Sequence, residues 1–451
     1  MIAKDTFAAL GLYDAKVPRY TSYPTAPHFG TDVDPEVFSG WIRAIPENAA
    51  ISLYVHVPFC RRLCWFCACR TQGTQKLDPV RSYLETLKAE LTLLADHLPK
   101  GVTLSRLHWG GGTPTLLDAD MITALADAIK EVVPFNDTTE FSVEIDPNEL
   151  DTSRLNALVA AGMNRASIGV QDFDPEIQTT IGRIQPFDLT RHVVDQIRAA
   201  GVASLNADIL FGLPDQTPER MSASVQKLLS LSPDRVALYG YAHVPWMAKR
   251  QQLIPEDKLP KSRDRLHLFE TARELFVWDG YEEIGIDHFA RPTDSMAKAQ
   301  AQGTLRRNFQ GYTDDTAAAL IGVGASSISK FPQGYAQNAP ATGKHVAAIR
   351  NGQFSTARGH VFSPQDNLRG RMIEALMCDF AINSTEMQRH FGVSAAHVHG
   401  ILSNTDKSFP GLLQLTDKGL FVPPEARPLT RLIARTLDSY DLSRAGHSPA
   451  I

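Results

Sequence analysis

Four cysteines lie within ten residues of each other, and their spacing carries the clearest chemistry in the chain. Cys60, Cys64 and Cys67 form a C-x3-C-x2-C pattern, and Cys69 follows two residues later. Three thiolates on one loop can hold an iron–sulfur cube by three of its four irons, whereas a 4Fe-4S cluster that only transfers electrons has four cysteine ligands. The pattern therefore predicts a cluster with one iron open to a small molecule.

Other chemistry for these cysteines stays open on spacing alone. Disulfides usually staple distant segments, and these cysteines are crowded together. Structural zinc sites usually take two ligand pairs from separate segments. Cys69 could also be a fourth ligand of a cluster, while Cys378 stands alone on a predicted helix and is expected in the core.

Composition and charge exclude several classes of protein. The chain has 451 residues, of which 43% are apolar and 21% charged, and a net charge of −5. No apolar run approaches the ~18 residues that span a bilayer, and the N-terminus lacks a basic region followed by an apolar one. A chain without a global basic field does not gather nucleic acid or an anionic membrane surface. We expect a cytoplasmic protein that binds no nucleic acid and does not insert into membranes.

Strand-like runs alternate with amphipathic helical stretches from residue 51 to about 245. The six predicted strands are residues 51–57, 104–109, 140–146, 166–170, 204–210 and 236–242. A βα repeat gives parallel strands with right-handed crossovers. We therefore predict an α/β fold: a partial (β/α)6 barrel with a C-terminal extension in residues 50–360, an N-terminal arm in residues 1–49 and a small, mostly α-helical C-terminal domain in residues 361–451.

Several residues fall where α/β barrels carry their active sites, at or just after the carboxyl ends of the predicted strands. In residues 140–146 apolar and acidic side chains alternate, so the acidic face is expected to point into the barrel. The three glycines at 110–112 directly follow a strand, and glycine lets a backbone approach a ligand closely. The residues at these strand ends are Gly111, Gly112, Glu144, Gln171, Asp208 and Ala242.

The cysteine loop, with Phe66 just before the third cysteine, resembles the signature of radical S-adenosylmethionine (SAM) enzymes. Between residues 18 and 340 the chain is further similar to the family of oxygen-independent coproporphyrinogen III oxidases. The matching segments are residues 18–25, 54–69, 169–173, 211–214, 287–292 and 307–312. This resemblance implies a radical SAM barrel.

The resemblance also implies roles for individual residues. Cys60, Cys64 and Cys67 would hold a 4Fe-4S cluster, and Cys69 would lie beside the cluster without binding iron. Two molecules of S-adenosyl-L-methionine would bind per chain. The positions that match contacts to the SAM on the cluster are Tyr54, Gly111, Glu144 and Ile328. Those that match contacts to the second SAM are Phe66, Gly112, Thr113, Gln171, Arg183, Asp208 and Ala242.

A reaction and its partners follow from the same resemblance. No side-chain base can remove a hydrogen from the unactivated β-carbon of a propionate as a proton, whereas a radical can remove the whole atom. A 5′-deoxyadenosyl radical would take this hydrogen and carbon dioxide would leave. Two propionates of coproporphyrinogen III would thereby become the vinyl groups of protoporphyrinogen IX in haem biosynthesis, with no catalytic side chain beyond the cluster and SAM. We expect a flavodoxin- or ferredoxin-like electron donor, an external electron acceptor and a monomeric enzyme.

The four carboxylates of coproporphyrinogen require local cations in an acidic chain. Arg19, Arg291 and Arg307 lie inside the matching segments. A guanidinium can bind a carboxylate through two parallel hydrogen bonds. Two related radical SAM proteins remain alternatives, namely a haem-binding chaperone and an enzyme that opens haem. The presence of Cys69 and of residues 19–24 favours the oxidase over the chaperone.

Overall fold

The computed structural model describes residues 4–441, and its largest feature is a sheet of twelve strands. The strands are, in chain order, β1 Ala50–Val57, β2 Phe59–Cys60, β3 Gln72–Gly73, β4 Thr103–Gly111, β5 Phe135–Ile145, β6 Arg165–Gln171, β7 Ser204–Phe211, β8 Arg235–Gly240, β9 Glu282–Ile284, β10 His288–Ala290, β11 Arg306–Asn308, β12 Gly311–Thr313, β13 Leu320–Val323, β14 Ile328–Phe331, β15 Gly334–Asn338, β16 Thr356–Val361, β17 Ala381–Asn383, β18 Gln414–Thr416 and β19 Gly419–Phe421. The α-helices are α1 Lys4–Ala9, α2 Pro35–Arg43, α3 Asp78–Ala95, α4 Ala119–Val132, α5 Thr152–Ala161, α6 Pro175–Thr180, α7 Phe187–Ala199, α8 Pro218–Ser230, α9 Ser262–Trp278, α10 Ser295–Ala301, α11 Thr342–Arg350, α12 Pro364–Asp379, α13 Ser384–Phe391, α14 Ala395–Ser408 and α15 Thr430–Leu437.

The large sheet has a parallel centre and antiparallel edges. Its strand order is β16, β15, β14, β13, β1, β4, β5, β6, β7, β8, β10 and β9, and the neighbours from β13 to β8 run parallel. The six predicted strands correspond to β1 and to β4 through β8, so the α/β prediction is confirmed. The seventh parallel strand, β13, follows the β11–β12 hairpin instead of a helix, and a βα repeat therefore does not predict it.

Strand β5 shows how alternation separates the two faces of the barrel. Phe141 and Val143 are fully buried in the apolar core that the sheet shares with its covering helices. Glu140 and Glu144, on the opposite face, line a cavity inside the barrel. Period-two alternation thus places the acidic face toward the lumen, as the sequence predicts.

The N-terminal arm packs mainly against the C-terminal region. Val17, Tyr20 and Tyr23 belong to the same apolar cluster as the C-terminal helices α12, α14 and α15. The hydroxyl of Tyr20 donates a hydrogen bond to Asp438 over 3.0 Å. The following helix α2 instead joins the core of the barrel. The division into residues 1–49, 50–360 and 361–451 stays a prediction, and the arm links two of its three parts.

The C-terminal region is mostly helical, as predicted. Helices α12 to α15 lie within residues 361–451, whereas the small antiparallel sheet of β17, β19 and β18 was not predicted. Three-residue strands are too short to show a period. Within residues 4–441, every helix falls short of the length and apolar character needed to cross a membrane.

Candidate active site

The cysteine loop leaves the carboxyl end of β1 and is tied back to it at both ends. Strand β2, which ends at Cys60, pairs with β3, and the N–H of Gln72 donates to the carbonyl of Pro58 over 2.8 Å. His56 Nε2 donates to the carbonyl of Arg70 over 3.2 Å. Burial lowers the pKa of His56, so its ring stays neutral and holds the loop through this hydrogen bond. The loop is therefore closed at the top of the barrel.

Each predicted ligand sulfur has a hydrogen-bond donor beside it. The N–H of Cys69 donates to Cys67 Sγ over 3.4 Å, and Arg183 Nη1 donates to Cys64 Sγ over 3.5 Å. Burial raises the pKa of the Cys60 thiol to about 11, and a hydrogen bond from Thr113 opposes this rise. Donors at 3.4–3.5 Å from sulfur suit thiolates, which are the form that binds iron.

Cys69 differs from the other three cysteines. A hydrogen bond from the Cys69 side chain lowers the pKa of Cys67, and the same bond raises the pKa of Cys69. Cys67 therefore accepts this hydrogen bond, as a thiolate does, and Cys69 donates it. This arrangement fits a cluster held by three cysteines, with Cys69 as a neighbour.

A single metal ion fits the described residues less well. Within residues 4–441, no group of three or more His, Cys, Asp or Glu side chains converges as one metal ion requires. A 4Fe-4S cube makes a different demand, because each cysteine binds a separate iron and the sulfurs need not meet at one point. The donor set of the loop therefore fits the cube.

Trp65 and Phe66 are the two aromatic residues of the loop. The turn after α6 holds Trp65, and the buried side-chain amide of Gln251 holds Phe66. The N–H of Trp65 donates to the carbonyl of Ile181 over 2.9 Å. Gly182 has a φ of +67°, and a Cβ there would lie 2.9 Å from the Trp65 ring. Gln251 is fully buried and donates to the carbonyl of Phe66 over 2.6 Å and to that of Ala242 over 3.0 Å.

Trp65, Gly182 and Gln251 position the loop but carry no sequence signal that predicts this role. Gln251 lies on a short 3-10 helix after β8, Lys249–Leu253, which is too short for periodicity to mark a buried side chain. It nevertheless joins two residues that the family resemblance assigns to the second SAM, Phe66 and Ala242.

The glycine segment after β4 extends the pairing of β4 with β1 into the cysteine loop. The N–H of Gly112 donates to the carbonyl of Val57, and the N–H of Thr113 donates to the carbonyl of Phe59, both over 2.8 Å. Gly111 has a φ of +105°, and a Cβ there would lie 2.3 Å from the ring of His56. Close packing against the loop is thus a structural reason for glycine at 111, in addition to any approach by a ligand.

Glu144 lies beside this segment and is held in its ionised form. One carboxylate oxygen accepts from the N–H of Gly111 over 3.0 Å, and His108 Nε2 lies 3.3 Å from the other. Burial alone would raise the pKa of Glu144, but the hydrogen bonds from His108 and Gly111 lower it. The Tyr54 ring stacks on His108 with centroids 5.7 Å apart. His108 was not predicted, although it lies on the lumen-facing side of β4 and alternation could have found it.

Ile328 completes the first predicted SAM set. Tyr54 pairs with Gly322 across β1 and β13, and a Cβ on Gly322 would lie 3.0 Å from the backbone N and O of Ile328. The structure therefore brings Tyr54, Gly111, Glu144 and Ile328 to one end of the barrel.

Gln171, Arg183 and Asp208 meet around Gly169 on β6. Gln171 has a φ of +68° where the β6–β7 register shifts, a left-handed conformation that is uncommon for a non-glycine residue and concentrates at functional sites. Arg183 Nη2 donates to the carbonyl of Gly169 over 2.7 Å. Asp208 pairs with Gly169 across the sheet, three residues before β7 ends, so it lies inside the strand and not at its tip. Burial raises the pKa of Asp208 to about 6.

A polar cavity of about 260 Å³ occupies the lumen of the barrel. Glu144, Asp208 and Tyr239 line it near the carboxyl ends of the strands. At the other end Arg106 and Arg165 both pair with Glu140, over 2.7 Å and 3.0 Å. These ion pairs close the bottom of the barrel, so the open end carries the predicted ligand sites.

Two of the three predicted substrate arginines lie together at the mouth. Arg19 Nη2 donates to the carbonyl of Gly240, the last residue of β8, over 2.5 Å. Arg307 is buried, donates to the Tyr312 hydroxyl over 2.6 Å, and lies 3.7 Å from Asp287. Burial would raise the pKa of Asp287, but the neighbouring Arg307 outweighs it and the pKa falls to about 2. Among the described residues, Arg307 Nε is buried without a hydrogen-bond partner.

The placement of Arg291 argues against its predicted role. Its guanidinium donates to Asp279 over 2.8 Å and stacks on the Tyr281 ring at 3.9 Å. Arg291 directly follows Ala290, which pairs with the first residue of β8, whereas Arg19 contacts the last. Arg291 therefore lies at the closed end of the barrel, and we remove it from the substrate residues.

Known proteins with similar sequences decide the family. Residues 54–228 match the family model of the Radical SAM superfamily. The oxygen-independent coproporphyrinogen III oxidase of Paracoccus denitrificans (strain Pd 1222) is 64% identical over 442 residues, which cover 98% of each chain. This chain belongs to the oxygen-independent coproporphyrinogen III oxidases.

Other members of the oxygen-independent coproporphyrinogen III oxidases agree along the whole chain. One from Cereibacter sphaeroides is 56% identical over 98% of both chains. The solved structure of Escherichia coli coproporphyrinogen III oxidase (HemN), described as a radical SAM enzyme, is 34% identical. It superposes with a TM-score of 0.89 over 95% of this chain and all of that one. The resemblance and the fold class are confirmed.

Proposed function

We propose that this chain converts two propionate side chains of coproporphyrinogen III to vinyl groups without oxygen, giving protoporphyrinogen IX. The observation that carries the proposal is the closed three-cysteine loop beside Glu144 and Arg183, in a chain 64% identical to an oxygen-independent coproporphyrinogen III oxidase. A 4Fe-4S cluster with SAM supplies the one-electron chemistry that removes hydrogen from an unactivated carbon. The side chains of the barrel bind, orient and shield the reactants.

Cys60, Cys64 and Cys67 would hold the cluster, with Arg183 donating to the Cys64 sulfur. Glu144 is ionised and faces the lumen, so it can accept hydrogen bonds from a SAM ammonium or ribose. Tyr54, Gly111 and Ile328 would form the remaining wall of this site. Glu144 and His108 thus orient the ligand without taking a proton from it.

The second SAM site is supported by the grouping of its predicted residues. Gln171, Arg183 and Asp208 surround one backbone position, and Gln251 joins Phe66 to Ala242. Gly112 and Thr113 are fixed to the start of the cysteine loop. We propose that a second SAM binds between these groups, next to the first.

The substrate would lie at the mouth of the barrel. The lumen, at about 260 Å³, is lined by Glu144 and Asp208, which are assigned to the two SAM molecules, so we propose that the tetrapyrrole stays outside it. A propionate arm can enter while its carboxylate meets Arg19 or Arg307. Both guanidiniums lie near Asp287 at the same end of the barrel.

The proposal is tested by product analysis under anaerobic conditions. Cluster-loaded protein is incubated with SAM, dithionite and coproporphyrinogen III, and carbon dioxide and vinyl groups are measured. Wild type is expected to form both, and Cys64→Ala neither. Binding of haem without turnover would instead indicate a haem chaperone, and opening of a haem ring would indicate a haem-degrading enzyme.

We propose, on the same grounds, a monomer in the cytoplasm with an external electron donor and acceptor. The similarity to the oxygen-independent coproporphyrinogen III oxidases supports this proposal.

A further inference from the structure

The outer side of the cysteine loop carries an unusual combination of exposed side chains. We call the surface formed by Arg61, Arg62, Leu63, Lys76 and Ile184 the loop face. Leu63 is 38% exposed and Ile184 is 49% exposed, although both are large and apolar. Arg62 and Lys76 are also exposed.

Contacts between neighbouring segments bring Arg61, Leu63 and Ile184 to one surface, and Arg62 and Lys76 lie beside them along the chain. Arg61 donates to the carbonyl of Gln75 over 2.8 Å, and Gln75 donates back to the carbonyl of Arg61 over 2.9 Å. Leu63 Cδ1 lies 3.3 Å from the position of a Cβ on Gly73. Two neighbouring residues complete the surface, since Glu149 pairs with Arg61 over 3.6 Å and Asn148 donates to the carbonyl of Ile184 over 3.4 Å.

The charge of the loop face is opposite to that of the whole chain. The chain has a net charge of −5, yet Arg61, Arg62 and Lys76 gather at this one surface. Glu149 pairs with Arg61, whereas none of the ion pairs among residues 4–441 includes Arg62 or Lys76. Unpaired cations around an apolar centre attract and hold an acidic protein.

The position of the loop face indicates what that protein does. Arg61, Arg62 and Leu63 lie between Cys60 and Cys64 along the chain, so part of this surface is within two residues of a predicted ligand cysteine. The inner side of the loop faces Arg183 and the lumen, where SAM and substrate would bind. The outer side is therefore the side from which another protein can reach the cluster.

We propose that the loop face is the docking surface of an acidic electron-donor protein of the flavodoxin kind. The inference rests on the proposed function, because only a cluster that works by reduction needs such a donor. In each encounter the donor's flavin loses one electron and the cluster gains it, and no bond is made or broken. The contact is small and transient, as in other electron-transfer complexes.

The test uses cluster-loaded protein and a bacterial flavodoxin reduced to its hydroquinone. Stopped-flow absorbance gives the second-order rate constant of cluster reduction, and biolayer interferometry gives the affinity at several salt concentrations. Arg62→Glu with Lys76→Glu is expected to lower the rate constant about tenfold and to remove most of its salt dependence. Reduction by dithionite and the iron content stay at wild-type values.

A matched control reverses two lysines that are far from the loop in sequence. Lys227→Glu with Lys407→Glu makes the same change in net charge on α8 and α14, where both side chains are exposed. Because Arg62 lies between two cluster ligands, Lys76→Glu and Ile184→Ser repeat the test outside the loop. Both are expected to slow reduction by flavodoxin but not by dithionite.

The outcomes separate this inference from the proposed function. Loop-face variants that bind and accept electrons from flavodoxin like the lysine control overturn the docking surface. Wild-type protein that forms no vinyl product with dithionite overturns the proposed function, and the affinity measurement still decides the docking surface in that case.

Discussion

Cys69 stands two residues from a predicted iron ligand, yet its hydrogen bonds make it a proton donor to Cys67. Spacing alone does not separate a fourth ligand from a neighbour, because both arrangements keep four sulfurs on one short loop. The backbone N–H of Cys69 donates to Cys67 Sγ over 3.4 Å, and this contact favours Cys67 as a ligand thiolate, because such a thiolate accepts hydrogen bonds. At the scale of single residues, the hydrogen-bond donors beside Cys60, Cys64 and Cys67 therefore support these three cysteines as the predicted iron ligands.

Cys69→Ser is expected to retain iron, because serine keeps the hydroxyl and backbone donors beside Cys67. Cys64→Ser removes a ligand and is expected to lose most of the iron. Iron analysis and electronic absorption of anaerobically purified protein measure the difference. Equal iron loss in the two variants would show that Cys69 is a ligand.

Asp208 is expected to make SAM binding at the proposed second site depend on pH. Burial raises its pKa to about 6, so Asp208 is anionic above that pH and neutral below it. A hydrogen bond to an anion contributes about 1.5–3 kcal/mol, compared with about 0.5–1.5 kcal/mol for one between neutral groups. The affinity of the second SAM is expected to fall as the pH is lowered from 7.5 through 6.

Equilibrium dialysis of labelled SAM against cluster-loaded protein checks this dependence. Asp208→Asn is expected to bind the second SAM about tenfold more weakly at pH 7.5, since 1.4 kcal/mol corresponds to a factor of ten. Its affinity is then flat between pH 5.5 and 7.5. A wild-type profile without a step near pH 6 would remove Asp208 from the site.

At the scale of elements, the cysteine loop is held by its neighbours more than by its own structure. The carbonyl of Ile181, in the turn after α6, accepts a hydrogen bond from the N–H of Trp65. The glycine segment after β4 pairs with the loop, and Gln251 joins the loop to the segment after β8. These three supports come from separate βα units. The loop geometry therefore depends on the barrel being closed around it.

Gly182→Ala tests this dependence. The new Cβ would meet the Trp65 ring at 2.9 Å and would also impose a side chain on a φ of +67°. Gly201→Ala is the control, because its φ of +84° is similar and no atom lies within 4 Å of its Cβ position. A left-handed conformation costs a non-glycine residue about 1–2 kcal/mol, which both variants bear.

Only Gly182→Ala is expected to lose further stability and part of its iron, measured by thermal unfolding and iron analysis. The difference between the two variants isolates the contact with Trp65. The same loss in Gly201→Ala would mean that backbone strain alone explains the effect.

The sequence predicts β1 and β4 to β8 because each combines an apolar run with a following helix, and it predicts the lumen face of β5 because acidic and apolar residues alternate. It does not predict β13, which lacks a helix before it, or the small C-terminal sheet, whose strands have three residues each.

Within the candidate site, strand-end residues such as Glu144 were found by position. Gln251 and Gly182 were missed because their roles come from tertiary contacts that leave no local pattern. Arg291 was assigned by similarity to a segment that extends to the closed end of the barrel.

At the scale of the whole molecule, the N-terminal arm connects the C-terminal helices to the barrel mouth. Arg431 on α15 donates to the carbonyls of Val17 and Pro18 over 2.5 Å and 3.1 Å. The next residue, Arg19, reaches the end of β8. The C-terminal region thus positions a predicted substrate ligand without contacting the lumen itself.

Arg431→Ala is expected to loosen the arm and to raise the KM for coproporphyrinogen III about tenfold, because hydrogen bonds from a charged group contribute about 1.5–3 kcal/mol each. Iron content and SAM binding are expected to stay unchanged. Arg389→Ala, at an exposed position on α13, is the matched control. Anaerobic steady-state kinetics with both variants measure the effect, and an unchanged KM in Arg431→Ala would show that the arm is held by other contacts.

The contact between Arg431 and Val17 joins residues 414 positions apart. Polypeptides leave the ribosome amino end first, and domains fold as they emerge. The arm is therefore made before every other segment described above, but it cannot dock until almost the entire polypeptide has been translated. Until α15 has been made, Arg431 cannot hold the arm at Val17, so Arg19 is expected to take its place at the end of β8 only late in folding.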